Sequence, residues 1–330
     1  MRSPVTPAPV PGPSGTAIAV DLGATNLRVA LVTSTGTIEQ VRVSRLPKDL
    51  PDAQVITDQI VREIRALAPE TEILRAAGIG IGAAGPVDST RTAIVHPPNI
   101  PLDKIPLAGP LSEAFGLPVR LANDCCTGLL GEAYYGEGLR SDNFVYVTLS
   151  TGIGAGILSK GHLVLGRDGN AGEIGHVFVD EKYDLVCGCG GRGHWEGYAS
   201  GRFLPRFYRA WQERNGIDPG RTPVNTAEEI FAAIRKEKDP RAHPFVSELG
   251  RINARGVSDI IVAYDPDTIV FDGSVALKNP DLVLGPILRF MDRYLPEPKI
   301  VTSPLNGRAP LLGAAIIARG YETRFGSVEY

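Results

Sequence analysis

Cysteine, histidine, methionine and tryptophan are all scarce in this 330-residue chain: four, five, two and two respectively. The cysteines fall as an adjacent pair, Cys125 and Cys126, and a pair split by one residue, Cys187 and Cys189. That spacing is poor for the disulfide framework of a secreted domain, so reduced thiols or thiolates on a metal fit better. An excess of charge of one sign is also missing. The 34 Lys and Arg against 37 Asp and Glu leave a net charge of -3 and supply no basic footprint for a phosphate backbone, so nucleic acid is not an expected partner. Long hydrophobic runs are absent too: LLGAAIIA, among the longest, is far too short to cross a bilayer. The opening MRSPVTPAPVPGPSG has many prolines, one arginine and no apolar h-region, and reads as a flexible tail (1–15) rather than a signal peptide. A cytoplasmic protein is expected.

What is present is an ordinary globular composition, 43% hydrophobic and 22% charged, long enough for two domains. AIAVDLGATNLRVALVT (17–33) sets two apolar, β-branched runs on either side of a short polar turn, a hairpin signature, and FVYVTLSTGIGAGILS (144–159) repeats the plan. Between them Ile56, Ile60, Ile64 and Leu67 mark one helical face, and AAGIGIGAAGPVD reads as a buried strand ending in a glycine-proline turn. Leu117 to Ala122 reads as a strand running into Asn123 and Asp124, with a helix from CCTGLLGEAYYG. Residues 225–265 are helical in pattern, and TIVFDGSVA (268–276) returns to a strand with a Gly-Ser turn. The expectation is an α/β chain in two lobes, with glycine turns at strand ends where such sheets place ligands.

Three clusters carry chemistry. Asp21-Leu22-Gly23-Ala24-Thr25-Asn26 and Ser150-Thr151-Gly152-Ile153-Gly154 both offer small residues that let backbone N–H groups approach a phosphate, although neither is a Walker A loop. Either turn alone is read as a hairpin turn and no more. Two matching turns, one with an acid suited to a hydrated Mg²⁺, point to a nucleotide gripped between lobes. Asn123 and Asp124 sit where a strand meets a helix. Alone they read as an N-cap, but at a strand's carboxyl end a carboxylate is also placed to take a proton from an attacking hydroxyl. Finally, His176, Cys187, Cys189 and His194 give four soft or borderline ligands within nineteen residues, a tetrahedral zinc set. The bland alternative is a glycine-rich loop with incidental thiols and surface histidines. Four protein ligands would close the coordination sphere, making the ion structural.

Taken in order, DLGATN, LANDC, TGIGAG, GEIGH and CGCGGRGHWEGYASG resemble the ROK family of sugar kinases and sugar-responsive repressors, within the actin-like ATPase superfamily, from about Ile18 to about Gly320. The resemblance implies a two-lobed, ribonuclease H-like fold with a ligand cleft between a smaller domain (16–122 plus 310–330) and a larger one (123–309) that carries the zinc loop. It implies an ATP-dependent hexose kinase, with glucose as substrate and its 6-hydroxyl as nucleophile. Asp124 would be the base and Asn123 would hold a neighbouring hydroxyl. Glu173, His176 and Glu196 would bind sugar, with Asn99 and the Gly85 backbone contributing from the other lobe. Asp21, Gly23, Thr25 and Asn26, with Thr151 and Gly152, would line the phosphate and Mg²⁺ site, and Gly273 would lie near the nucleoside. His194 stands where most members have a third cysteine. The expectation is Cys₂His₂ zinc; the alternative turns His194 away and leaves the fourth position to water. Pairing into homodimers or higher homo-oligomers is implied in the same way. Two competing functions remain: a kinase for N-acetylmannosamine, N-acetylglucosamine or fructose, and a sugar-sensing regulator without catalysis. The second is disfavoured by the short segment ahead of Asp21, which lacks a DNA-binding domain.

Overall fold

The computed structural model describes residues 15–320 apart from 24, 48, 89, 98, 99, 168 and 222. In chain order it runs β1 (Ala17–Leu22), β2 (Asn26–Val32), β3 (Ile38–Arg45), α1 (Gln54–Arg65), α2 (Glu70–Ile73), β4 (Ile79–Ala83), β5 (Ala93–Val95), β6 (Lys104–Pro106), α3 (Ala108–Phe115), β7 (Val119–Asn123) and α4 (Asp124–Tyr135). It continues with β8 (Phe144–Leu149), β9 (Ile153–Ser159), β10 (His162–Leu163), α5 (Glu196–Ala199), α6 (Leu204–Arg214), α7 (Ala227–Ile234) and α8 (Pro244–Tyr264). It closes with β11 (Thr268–Asp272), α9 (Ser274–Lys278), α10 (Pro280–Phe290), β12 (Lys299–Thr302) and α11 (Ala309–Ala318). The first sheet has the order β3-β2-β1-β4-β7, the second β10-β9-β8-β11-β12, and β5 and β6 form a small ribbon.

The chain folds as two compact units. One takes the residues through Asp142, Gly156–Ala171 and those from Arg308 onward; the other takes Asn143–Ala155 and Gly172–Gly307. In the first unit β1 and β2 are antiparallel, Asp21 facing Arg28, while β1, β4 and β7 run parallel. Helices cover both faces of this sheet, with α11 lying on β1 and β4. Strands buried on both sides carry unbroken apolar runs, which is why β1 and β4 read as continuous hydrophobic stretches. At the edge, β3 is exposed along most of its length and carries Glu39, Arg42 and Arg45, charges that discourage pairing with another chain. The stripe on α1 is buried as expected: Ile56, Ile60 and Ile64 are fully enclosed. Glycine lets α11 approach closely. A Cβ on Gly78 would lie 2.6 Å from the Ala318 oxygen, and one on Gly80 would overlap the Ala314 oxygen.

In the second unit β8, β11 and β12 are parallel, with Asp272 beside Thr148 at their carboxyl ends. Residues 225–265 resolve into two helices, α7 and the 21-residue α8. The strand expected in 268–276 is β11, and Gly273, at φ +90°, opens the short helix α9 behind it. The aromatic core packs α5, α6 and α8 together around Tyr198, Phe207 and Phe245. Cys125 and Cys126 are buried on α4 of the first unit. Among the described residues no helix is long and apolar enough to cross a membrane.

Candidate active site

In the first unit the parallel register aligns Leu22 with Ala83 and Ala83 with Asn123, so three strands end at one level. Three predicted features emerge there. The first is the link from β1 to β2, where the Gly23 N–H donates to the Asn26 carbonyl at 3.0 Å and the Leu46 N–H donates to the Thr25 carbonyl at 2.9 Å. Asp21, one residue before the strand end, pairs with the Arg28 Nε at 2.5 Å. The second is Gly85, whose φ of +115° favours glycine. Its carbonyl accepts from Asn123 Nδ2 at 3.3 Å. The third is the start of α4.

The capping question resolves in favour of Asn123. Its Oδ1 accepts from the Cys125 N–H at 2.8 Å, and its backbone is extended, as a cap requires. Asp124 is therefore the first helical residue, half-buried at the head of α4, and the cap bond is made by its neighbour. Asn99 lies outside the described residues.

In the second unit the turn after β8 is closed by the Ser150 N–H donating to the Gly152 carbonyl at 3.0 Å. Beside it, buried Asp272 accepts from the Tyr146 hydroxyl at 3.0 Å and from the Gly273 N–H at 2.8 Å, which fixes Gly273 where β11 ends. A side chain at Gly273 would meet the Leu149 oxygen at 2.6 Å, so the turn needs glycine for space as well as for φ. Ser150 and Ser274 bring their hydroxyls within 3.4 Å across the two strand ends.

The four soft ligands converge. Donor atoms of His176, Cys187, Cys189 and His194 all lie within 4.8 Å of one another. Cys187 Sγ is 3.6 Å from His176 Nδ1, and Cys189 Sγ is 3.2 Å from His194 Nδ1. A tetrahedral ion with ordinary Zn–S and Zn–N bonds puts S and N ligands roughly 3.6 Å apart. The donor set and its spacing thus fit zinc, with His194 turned into the cluster. Burial pushes the Cys187 thiol up to about 11, and the negative Glu196 nearby adds to this, so without a cation the sulfur stays protonated. Burial, and then the neighbouring His176 charge, lower His194, which favours the neutral imidazole that a metal requires.

Around this cluster, His176 Nε2 lies 3.7 Å from Glu173 Oε2, while Nδ1 faces the thiol, so the two ring nitrogens look in different directions. Loss of solvation, together with the Glu196 charge and against the pull of His176, holds Glu173 above the usual carboxylate range. Glu196, the first residue of α5, accepts from the Ile153 N–H at 3.0 Å through Oε2 and takes the Cys187 thiol at 3.9 Å through Oε1. Two participants were missed from sequence: Arg28 and the Ile153 amide. Arg28 was findable, since pairing the two arms of the first hairpin puts it opposite Asp21. The Ile153 amide was not, because its partner lies 43 residues away.

The sequence model of the ROK family matches residues 17–321. A glucokinase of Pyrobaculum calidifontis is 36% identical over 84% of this chain and 86% of its own length. A glucokinase of Streptomyces coelicolor is 32% identical over 92% of this chain and 98% of its own. The crystal structure of a ROK family glucokinase from Streptomyces griseus, in complex with glucose and AMPPNP, superposes with a TM-score of 0.76 at 32% identity, covering 93% of this chain and all of that one. The architecture is the actin-like ATPase fold.

Proposed function

This chain belongs to the ROK family, and we propose that it phosphorylates a hexose with ATP, glucose first, at the 6-hydroxyl. The observation that carries the reading is Asp124 at the head of α4, at the level where β1, β4 and β7 end, with Asn123 making the cap. Open α/β sheets bind ligands at such carboxyl ends.

Each residue then has a task. Asp124 accepts the proton of the attacking hydroxyl, and Asn123 and the Gly85 backbone hold neighbouring hydroxyls; Asn99 is a further sugar ligand implied by the family resemblance. Glu173, His176 and Glu196 accept from or donate to the ring hydroxyls; two carboxylates suit a ring of adjacent donors because each offers several acceptor positions. Asp21, Gly23, Thr25, Asn26, Thr151, Gly152 and Gly273 are the residues that the family resemblance assigns to the nucleotide. Asp21 would hold the hydration shell of a Mg²⁺ brought with ATP, an ion that would offset the phosphate charge. Little covalent chemistry is asked of the protein: phosphoryl transfer needs positioning and charge.

Zn²⁺ would be held by His176, Cys187, Cys189 and His194. When bound it supplies a rigid centre that fixes the tautomer and direction of His176. The same reading takes the protein as a cytoplasmic enzyme, in keeping with cysteine spacing that suits reduced thiols, and as a homodimer or higher homo-oligomer, carried over from the family resemblance.

The test is ADP release from ATP across glucose, mannose, fructose, N-acetylglucosamine and N-acetylmannosamine. The highest kcat/KM is expected with glucose. A preference for an N-acetylhexosamine would reassign the substrate, and silence across the panel would favour a sugar sensor.

A further inference from the structure

The turn Ser150–Ile153 is held almost entirely by one short segment, the one that leaves the metal cluster. Ile153 N–H donates to Glu196 Oε2 at 3.0 Å. The Gly201 N–H donates to the Ser150 carbonyl at 2.6 Å, and the Arg202 N–H to the Thr151 carbonyl at 3.3 Å. Gly152 is pressed against the same carboxylate, since a Cβ there would lie 2.7 Å from Glu196 Oε2. On the far side of the peptide, Gly175 packs so tightly that a methyl group would overlap the Ile153 carbonyl oxygen. The segment is itself anchored. Trp195 is fully buried, its indole N–H donates to Asn253 Oδ1 at 2.8 Å, and its backbone N–H donates to the Val177 carbonyl at 3.0 Å. The other Glu196 oxygen faces Cys187.

We propose that Glu196 is a positioning residue for the phosphate turn: its carboxylate, bonded to the Ile153 amide, fixes the peptides of Thr151 and Gly152. The inference rests on the reading of that turn as nucleotide-binding, and it adds a nucleotide role to a residue otherwise assigned to sugar. Its logic is local. The Ile153 N–H is already spent on Glu196, whereas the N–H groups of Thr151 and Gly152 have no acceptor among the described residues. Those two amides are the ones left to meet a phosphate, and their direction follows from how the next peptide is pinned. Glutamate suits the position because a carboxylate can accept from the amide and from a sugar hydroxyl at once.

The experiment is calorimetric titration of ADP, without sugar, into the full-length zinc-loaded protein and its Glu196→Ala and Glu196→Gln variants, with zinc content and circular dichroism matched first. Loss of a hydrogen bond to a charged acceptor should weaken ADP binding about tenfold in Glu196→Ala. Glu196→Gln keeps an acceptor oxygen for the Ile153 N–H and should restore most of that affinity. Glucose binding should fall in both. If Glu196→Ala binds ADP as the unaltered protein does while losing glucose, the residue is a sugar ligand only and the proposal is wrong. If glutamine fails to rescue ADP binding, the Ile153 hydrogen bond is not the cause, and the proposal is equally wrong. Failure of the unaltered protein to bind ADP would remove the functional reading and the inference with it. Gly152→Ala approaches from the other side: by displacing the carboxylate it should weaken glucose binding without nucleotide, and unchanged glucose affinity would count against the coupling.

Discussion

Helix α4 carries Asp124, and its position is set by close glycine packing against α11, so Gly313→Ala should damage stability and turnover together. A Cβ on Gly313 would overlap the Thr127 carbonyl oxygen and come within 2.9 Å of the Gly131 nitrogen. Both neighbours are backbone, so no side chain can swing aside and the helices must separate. Overpacking of a tight core costs about 1–3 kcal/mol, and a backbone-to-backbone clash belongs at the top of that range. Alanine recovers about 1 kcal/mol of helix propensity over glycine, which leaves a net loss of about 2 kcal/mol. For a unit of this size that is a melting temperature lower by roughly 4–8 °C. Scanning calorimetry reads it directly, and kcat should fall as well because Thr127 lies one turn from Asp124. Gly131→Ala, whose Cβ would overlap the Ala309 oxygen from the opposite helix, should behave alike. A Gly313→Ala protein that melts and turns over like the unaltered one would refute the packing argument.

Other consequences can be measured separately. Metal analysis should give one zinc per chain; Cys187→Ala should lose it, and His194→Cys should keep it, since thiolate and imidazole are both good zinc ligands. A well-folded, active preparation without zinc would sink the assignment. Trp195→Phe removes the donor to Asn253 in a fully buried site and should cost about 1–3 kcal/mol by urea unfolding. Asp88 gives a pH signature. Partial desolvation raises its pKa, but hydrogen bonds from the Thr92 and Ala93 amides and from the Thr92 and Thr90 hydroxyls outweigh this and hold it below 3.8. Its contribution is therefore complete above that value and is lost as pH falls through the lowered folded pKa. Asp88→Asn should show a shallower loss of stability across that acid window, and an identical acid profile would contradict it.

Local pattern carried much of the architecture. Both hairpin-like units, 17–33 and 144–159, were legible because strand-turn-strand needs only short-range alternation and a glycine turn. The α1 stripe was legible for the same reason at helical period. The metal cluster was legible because cysteine and histidine are so rare here that four within one stretch demand an account. Other features were hidden. Nothing local says that α11 lies on β4 and α4, because the cause is a set of missing side chains at Gly78, Gly80, Gly131 and Gly313. The Asn123-Asp124 pair was ambiguous between cap and base in the sequence; a single hydrogen bond, from the Cys125 N–H to Asn123, gives the cap to Asn123. Glu196 could be read as a polar side chain beside a metal loop. Its hold on the Ile153 amide depends on how β9 meets α5, and sequence spacing does not encode that.

The account stands on Asp124 as the group that takes the hydroxyl proton. The direct measurement is steady-state turnover of Asp124→Asn with saturating ATP and glucose, alongside glucose binding by calorimetry. Binding should survive, because asparagine keeps the shape and an acceptor oxygen, while kcat falls by about 10²- to 10⁴-fold, the usual worth of a general base. Undiminished kcat with normal binding would take Asp124 out of the reaction and contradict the account.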